Sequence, residues 1–265
     1  KLPNELDIPG RHLAMVGISP VIDKELLNTV GTNVAVNAAI RVYVPYPGRY
    51  LEMGMTANDA NTGEPVSFIL TLDNKGKESL SVAPEISIFD ASNVNKETLY
   101  FSSKEILSQE RLELRKFLDT ARYNPGNYKA VASVDYGAIA KAEAVFRIGN
   151  LSITIVNYTN SFYIDKLQEF KILVSSGWNN NIDGVSATVF MKNGSNEITR
   201  FDTTATSLIP WEEKVISGYF DTSLFGEGVY DANIDVRYYG KEQGQSTSEQ
   251  VKVQFIKPKS MLCSI

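Results

Sequence analysis

The pattern of apolar and polar positions predicts a chain built from β-strands. In the segment VSFILTLDNKG, Val66, Phe68 and Leu70 alternate with Ser67 and other residues that would face outward. A period of two is that of a strand with one buried face. The same alternation returns at residues 170–174. Short strands separated by turn residues, without alternating helical segments, predict antiparallel sandwiches rather than an α/β fold.

One stretch conflicts with this pattern. Residues 102–118 are rich in Glu, Leu and Arg, which favour a helix. The corresponding later stretch, residues 206–220, contains Pro210 and the β-branched Val215, which favour a turn followed by a strand. We therefore expect a strand at the end of both stretches, and a helical turn at 103–109 stays open.

The chain also repeats itself. The stretch DTARYNPGNYKAVASVDYG, residues 119–137, returns as DTSLFGEGVYDANIDVRYYG, residues 221–240, with an offset of 221 − 119 = 102 positions. This spacing is the size of a domain. A weaker, earlier echo places Gly10, His12 and Ala14 where Gly126, Tyr128 and Ala130 stand later.

The repeat divides the chain into units. We predict all-β architecture with tandem antiparallel immunoglobulin-like β-sandwich domains at 51–149 and 150–258, a partial β-sandwich at 1–50 and a tail at 259–265. The first fifty residues hold only two apolar runs, at 11–18 and 34–44. Because half a sheet leaves strand edges open, we expect either a fragment of a longer protein or a first unit completed by another chain.

The repeated stretch contains two structural candidates. Each turn, PG or EG, is followed two residues after its glycine by Tyr128 or Tyr230, the position of a tyrosine that packs its ring inward and bonds its hydroxyl to the turn. Exposed stacking on a ligand is the alternative. The pairs Asp119-Thr120 and Asp221-Thr222 are suited to bonding the turn backbone, with a calcium ligand as the alternative.

Composition narrows the class of protein. The chain has 265 residues, 43% hydrophobic and 22% charged, which is typical of folded domains. Its net charge is 26 − 31 = −5, without a basic cluster, so nucleic acid is not expected as a partner. There is no apolar run long enough to span a bilayer. The single cysteine, Cys263, has no partner within the chain for a disulfide.

The segments GEPVSFILTLDNKGKESLSV, FLDT and PGNYKAVASVDY, followed by an alternating strand, resemble CARDB modules and related immunoglobulin-like, fibronectin-III-like repeats of archaeal or bacterial cell-surface proteins. The resemblance covers residues 51–257. The unit from 150 departs from it, with WNNN in place of Asn-x-Gly and no proline in its corner. The resemblance implies an extracellular, cell-surface adhesion module of a longer protein, often anchored by a segment beyond the present C-terminus. We expect other protein chains as partners, through self-association or surface contacts, with glycans as a further candidate.

The sequence argues against catalysis. Nucleophilic hydrolysis needs a base beside the nucleophile, and the only histidine is His12, at a position that holds tyrosine in the other repeats. One histidine and one distant cysteine cannot supply a zinc site, and glycine-rich phosphate loops are absent. No pair among the 31 acidic residues is favoured as a glycosidase pair. We expect no enzyme activity, cofactor or metal.

Two features bear on ligands and export. A sugar-stacking platform would make the chain a carbohydrate-binding or other accessory module, and its candidates are Trp178, Trp211, Tyr123, Tyr158 and Tyr163. Aromatic side chains in strands more often fill cores. Three sequons, at Asn150, Asn157 and Asn193, would accept N-glycans on an exported chain.

The favoured function is a structural or adhesive segment, and strand exchange between copies would make it a filament or lattice subunit.

Overall fold

The structure is a computed structural model that describes residues 6, 8–18, 36–239 and 244–257. Within these ranges the chain forms strands and turns, and no described residue is helical. The predicted tail at 259–265, with Cys263, lies outside the described residues. The fold class predicted from the sequence, an all-β immunoglobulin-like sandwich, is confirmed.

Strands occupy most of the described chain. The first ten are β1 (Gly10–Ile18), β2 (Val36–Val44), β3 (Leu51–Ala57), β4 (Ala60–Asn61), β5 (Val66–Asn74), β6 (Leu80–Val82), β7 (Glu85–Asp90), β8 (Asn95–Tyr100), β9 (Lys104–Ile106) and β10 (Arg111–Leu118). The others are β11 (Gly126–Asp135), β12 (Ile139–Gly149), β13 (Ile153–Tyr158), β14 (Ser161–Tyr163), β15 (Leu167–Ser176), β16 (Ile182–Asn193), β17 (Asn196–Asp202), β18 (Thr206–Leu208), β19 (Glu213–Asp221), β20 (Gly228–Tyr239) and β21 (Gly244–Ile256).

Alternating burial explains why these segments are strands. Along β5, Val66, Phe68, Leu70 and Leu72 are fully buried, while the residues between them are half-buried. β15 repeats the pattern, with Phe170 and its alternate neighbours in the core. Removing these side chains from water is the main favourable contribution to folding.

Two three-stranded and two larger sheets make up the sandwiches. The earlier part of the chain forms a three-stranded sheet with the strand order β10-β5-β3 and a five-stranded sheet with the order β4-β12-β11-β7-β8. The later part forms a three-stranded sheet with the order β13-β15-β19 and a larger sheet with the order β14-β21-β20-β16-β17, in which β18 also pairs with β16. β1 pairs with β2, and β6 with β9, as separate two-stranded sheets. The pairings of β4 with β12 and of β14 with β21 are parallel. Those of β3 with β5, β7 with β11, β15 with β19 and β16 with β20 are antiparallel.

The described residues group into two compact units. The first takes those within Lys1–Ala57, Ser67–Leu118 and Tyr128–Val145, and the second takes those within Asn58–Val66, Asp119–Asn127 and Phe146–Ile265. The core of the second unit is rich in stacked phenylalanine rings, including Phe162 with Phe170 and Phe225 with Phe255. The domain boundaries proposed from the sequence, at 50, 149 and 258, stay predictions.

Two local expectations need correction. The helical turn left open at 103–109 is absent, because Ile106 is fully buried and β9 pairs with β6. The polar residues 240–249 favour a hairpin loop by their composition, but strand β21 begins at Gly244. Its residues pair with β20 along the whole strand, so main-chain hydrogen bonds extend the strand where the side chains show no apolar alternation.

Candidate functional site

The β1–β2 hairpin presents an apolar face. Antiparallel pairing puts directly opposite residues on the same side of a sheet, and here Ala14 lies opposite Ile40, Val16 opposite Ala38 and Ile18 opposite Val36. Together with the pairs that begin the hairpin, these residues define what we call the apolar face: Gly10, His12, Ala14, Val16 and Ile18 with Val36, Ala38, Ile40, Val42 and Val44.

The half of the apolar face farther from Gly10 is open to solvent. Ile18 is 71% exposed, Val36 62%, Val16 44% and Ile40 38%, whereas Gly10, His12, Ala14, Val42 and Val44 are half-buried. In β11 and β20, the strands that correspond to β1 in the two complete hairpins, alternate residues such as Ala130 and Ala232 are fully buried. The hairpin therefore displays a surface of the kind that elsewhere in this chain belongs to a core.

The opposite face of the hairpin is mixed and basic. Arg11 lies opposite Tyr43, and Leu13 opposite Arg41. The described hairpin residues, 8–18 and 36–44, include no aspartate or glutamate, although the whole chain has a net charge of −5. The sequence next to the two strands is acidic at Glu5, Asp7, Asp23 and Glu25, so residues 1–44 carry four acidic and four basic side chains.

The threonine of each repeated Asp-Thr pair contacts backbone that is distant in the sequence. Thr120 is fully buried, and its Oγ1 contacts the carbonyl oxygens of Glu64 at 2.6 Å and Asn61 at 3.1 Å. Thr222, equally buried, contacts the carbonyl oxygens of Lys166 at 2.7 Å and Tyr163 at 2.8 Å. The acceptors are also 102 positions apart, since 166 − 64 = 102 and 163 − 61 = 102.

The aspartates of these pairs hold turns. Asp119 Oδ1 accepts from the amide of Ala121 at 3.0 Å, and Asp221 Oδ1 accepts from that of Ser223 at 2.9 Å. The backbone amide and side chain of Ser223 hold the pKa of Asp221 below its ordinary value of 3.8. No group of three potential metal-ligating His, Cys, Asp or Glu side chains occurs among the described residues.

The two corner tyrosines differ in depth. Tyr128 is buried, and burial raises the pKa of its hydroxyl above 10.0, an effect that nearby Lys96 opposes. Tyr230 is half-buried, packs its ring edgewise on Phe225, and accepts a hydrogen bond at its hydroxyl from the amide of Gly226 at 3.1 Å.

The predicted aromatic platform is not one surface. Trp178 is only 9% exposed and belongs to the core of the second unit. Trp211 is half-buried, and the guanidinium of Arg147 lies 4.5 Å from its ring centroid. Asp59 fixes that guanidinium at 2.8 and 3.0 Å, and Asn179 accepts from the indole nitrogen of Trp211 at 3.0 Å.

This polar cluster was missed by the sequence analysis. Asp59 and Arg147 are 88 positions apart, and neither lies in a repeated motif. The only indication of this cluster in the sequence was that Asp59 and Arg147 each lie near the end of an expected strand. The cluster orients Trp211, and the guanidinium of Arg147 lies over one face of its ring.

The three sequons lie on the surface. Asn150, Asn157 and Asn193 are all exposed. Asn193 ends β16 directly before the two-residue turn into β17, where Gly194 has φ of 61°. Ser152 donates to the side-chain oxygen of Asn150 at 2.9 Å.

His12 has a local structural contact. Its Nε2 lies 2.7 Å from the carbonyl oxygen of Ile8, four residues earlier. The side chain lies on the apolar face of the hairpin, in the place that tyrosine takes in the other two repeats.

Among the described residues, no helix is both long and apolar enough to cross a bilayer.

Comparison with known proteins finds likenesses of structure only. No protein-family model matches the chain, and no curated protein matches it. A red sea bream transglutaminase is similar over 78% of this chain and 31% of its own length, at 10% identity and a TM-score of 0.40. The CARDB domain of a Pyrococcus furiosus protein, in complex with di-metal ions, is similar over 40% of this chain and 94% of that domain, at 12% identity and a TM-score of 0.32.

An Escherichia coli alpha-2-macroglobulin is similar over 92% of this chain and 19% of its own, at 11% identity and a TM-score of 0.31. The chain thus spans about a third of the transglutaminase and about a fifth of the macroglobulin. At these TM-scores the matches carry no argument about activity or partners.

Proposed function

We propose that this chain is a non-enzymatic structural and adhesive segment of a cell-surface or envelope protein, acting as a spacer and as a protein-interaction module. The observation that carries the proposal is the exposed apolar face of β1–β2, attached to sandwiches whose own hydrophobic faces are buried. Large exposed apolar surface marks interaction sites in folded proteins.

Two further observations support a surface location and a non-catalytic role. The exposed sequon asparagines Asn150, Asn157 and Asn193 are accessible to glycosylation. His12, the only histidine of the chain, contacts backbone rather than a nucleophile. The resemblance of residues 51–257 to cell-surface repeat modules agrees with both.

Surface labelling tests the location. Intact source cells are treated with a membrane-impermeant amine reagent, and labelling of this chain is compared with that in lysed cells by mass spectrometry. We expect equal labelling in both, together with added mass at one or more of the three sequons. Labelling that requires lysis, with all three asparagines unmodified, contradicts the proposal.

A further inference from the structure

One sheet of the first compact unit has an open edge along β12. This strand pairs with β11 on one side, and on its other side β4 reaches only Ile148 and Gly149. Among the described residues, no strand pairs with that side of β12 along residues 139–145. We call this stretch the β12 edge. An open edge presents main-chain donors and acceptors with which another strand can pair.

Main-chain groups of alternate residues point outward along the β12 edge. The amide of Arg147 donates to Asp59 Oδ1 at 2.6 Å, on the side of the strand where β4 lies. On the opposite side, the carbonyl oxygen of Ala138 accepts from the amide of Tyr136 at 3.0 Å, in the turn from β11. Because these groups alternate in direction with a period of two, those of the odd-numbered residues within 139–145 face the open side.

The side chains of the same odd-numbered residues are exposed. Ile139 is 70% exposed and Val145 is 78% exposed, and Lys141 and Glu143 are exposed between them. The described residues include no salt-bridge partner for either charge. Charged residues on an edge strand commonly prevent pairing, but these two have opposite signs and lie on either side of Ala142.

The β12 edge is complementary to an antiparallel copy of itself. Its sequence, IAKAEAV, has opposite charges on either side of Ala142, then an alanine on each side, then a β-branched aliphatic residue on each side. With a twofold axis at Ala142, the facing pairs between two copies are Lys141 with Glu143, Ala140 with Ala144, and Ile139 with Val145. Opposite charges and aliphatic side chains that face each other across two strands stabilise their pairing.

Charge also excludes the neighbouring registers. The nearest antiparallel registers that still bring the outward main-chain groups together place the twofold axis at Lys141 or at Glu143. The first register sets Lys141 opposite Lys141 of the second copy, and the second sets Glu143 opposite Glu143. Like charges directly opposite each other destabilise a strand pair, so the axis at Ala142 is the favoured one.

The equivalent edge of the second unit lacks this pattern. The parallel pairing of β4 with β12 and of β14 with β21 aligns Ile148 with Phe255. At the same distances before Phe255, β21 has Ser248 and Gln250 where β12 has its lysine and glutamate. The self-complementary pattern is therefore a property of β12 and not of the repeated fold.

We propose that two copies of this chain associate through their β12 edges, antiparallel about a twofold axis at Ala142, so that one sheet continues across both. Main-chain hydrogen bonds join the edges, and the two symmetric pairs of Lys141 with Glu143 set the register. The contact is one strand wide, which places it among the small, reversible interfaces that bury less than about 1,200 Å². This surface is separate from the apolar face of β1–β2, and the inference does not depend on that face.

Sedimentation equilibrium of the whole chain, from about 1 μM to about 1 mM, tests the association. We expect a reversible equilibrium between one chain and two. Lys141→Glu should weaken it at least about tenfold, because the twofold axis sets two pairs of like charges opposite each other. Lys252→Glu makes the same charge change at an exposed position of β21 and should alter the association by less than about twofold.

Mixing two variants tests the register. Glu143→Lys alone should associate as poorly as Lys141→Glu alone. In an equimolar mixture of the two variants, every facing charged pair between unlike chains is again of opposite sign, so we expect association within about threefold of the original. Both positions are exposed, so neither change should prevent folding, and circular dichroism checks this. A variant that had lost its fold would not be rescued by mixing.

Hydrogen exchange locates the contact. Exchange within residues 139–145 should be slower at a concentration where the chain is paired than at one where it is single. The inference is overturned by the mass of one chain up to about 1 mM, by a dimer that Lys141→Glu leaves intact, or by a mixture that fails to associate.

Slow exchange within residues 139–145 at every concentration also overturns it, because another segment of the same chain would then cover this edge. None of these measurements depends on where the chain resides in the cell. Failure of the proposed pairing and failure of the proposed surface location can therefore be told apart.

Discussion

At the scale of single residues, the most consequential contacts are those of the buried threonine hydroxyls. Thr222 has no exposed surface, and besides contacting two carbonyl oxygens its Oγ1 accepts from the amide of Lys166 at 3.0 Å. One hydroxyl therefore contacts three backbone groups of Tyr163 and Lys166, and the Thr222 amide adds a hydrogen bond to the Lys166 carbonyl at 3.0 Å. Loss of such contacts inside a protein is costly.

Replacing Thr222 by valine should destabilise the second unit. The change keeps the shape and removes the hydroxyl, leaving the amide of Lys166 and two carbonyl groups without that partner, at a cost of about 1 to 3 kcal/mol in the free energy of unfolding. Thr222→Ser, which keeps the hydroxyl, is the control and should cost less. Urea denaturation of both variants measures the difference, and a valine variant as stable as the original chain contradicts this role.

At the scale of elements, the repeated glycine that begins the last hairpin of each repeat has an unusual backbone. Gly10, Gly126 and Gly228 have φ of 110°, 156° and 150°. A conformation with φ near 110° or 150° is one that residues with a Cβ adopt only at a cost. In each repeat this glycine is the first residue of its strand. The third residue of the strand is tyrosine or histidine, and the fifth is alanine.

Gly228→Ala should therefore destabilise the chain for a backbone reason. A Cβ at Gly228 would have space, since its nearest neighbour is a ring atom of Tyr230 at 3.8 Å, so strain and not collision is expected to cost about 1 to 2 kcal/mol. Gly226→Ala is a matched control two residues away, with ordinary contact at 3.7 Å and no positive φ. Thermal unfolding should show a lower Tm for Gly228→Ala alone, and equal effects of the two changes would refute the explanation.

The strands that sequence could predict are those with a buried face. β5 was predictable because each second residue is aliphatic or aromatic and each of these is buried. The first half of β21 was not, since Gln245 to Gln250 contains no apolar residue and is held by main-chain pairing with β20. The short parallel strands β4 and β14 depend on contacts far along the chain, which no local pattern contains.

Prediction of the candidate site was similarly uneven. The apolar runs of the hairpin and its likeness to the later repeats were visible, because the same residue types recur at the same spacing. The exposure of that face depends on the folded structure and could not be predicted from the sequence. The same holds for the position of the Arg147 guanidinium over the ring of Trp211. Aromatic content suggested a ligand platform, but it could not show that Trp178 lies in a core.

At the scale of the whole molecule, carboxylates with lowered pKa values link stability to pH. The side chain of Lys96 holds the pKa of Asp90 below 3.8, and the Ser223 backbone does the same for Asp221. Such groups bind protons less readily in the folded chain than in the unfolded one. Their contribution to stability is present above pH 3.8 and is lost as the pH falls through the lower, folded values.

The Tm should accordingly decrease as the pH is lowered from about 5 to about 2. Asp221→Asn keeps the side-chain oxygen that accepts from Ser223 but removes the titrating group, so its Tm should fall less over the same interval. Differential scanning calorimetry across the interval checks this. A variant with the same pH dependence as the original chain would show that Asp221 contributes nothing to it.

Both tryptophans of the chain, Trp178 and Trp211, belong to the second compact unit. Intrinsic tryptophan emission is therefore a reporter of that unit alone, with a blue-shifted contribution expected from the buried Trp178. Far-ultraviolet circular dichroism, by contrast, records strands of both units. Superposition of the two melting curves would mean that the units lose their structure together, and separated curves would assign the emission change to the second unit without any engineered probe.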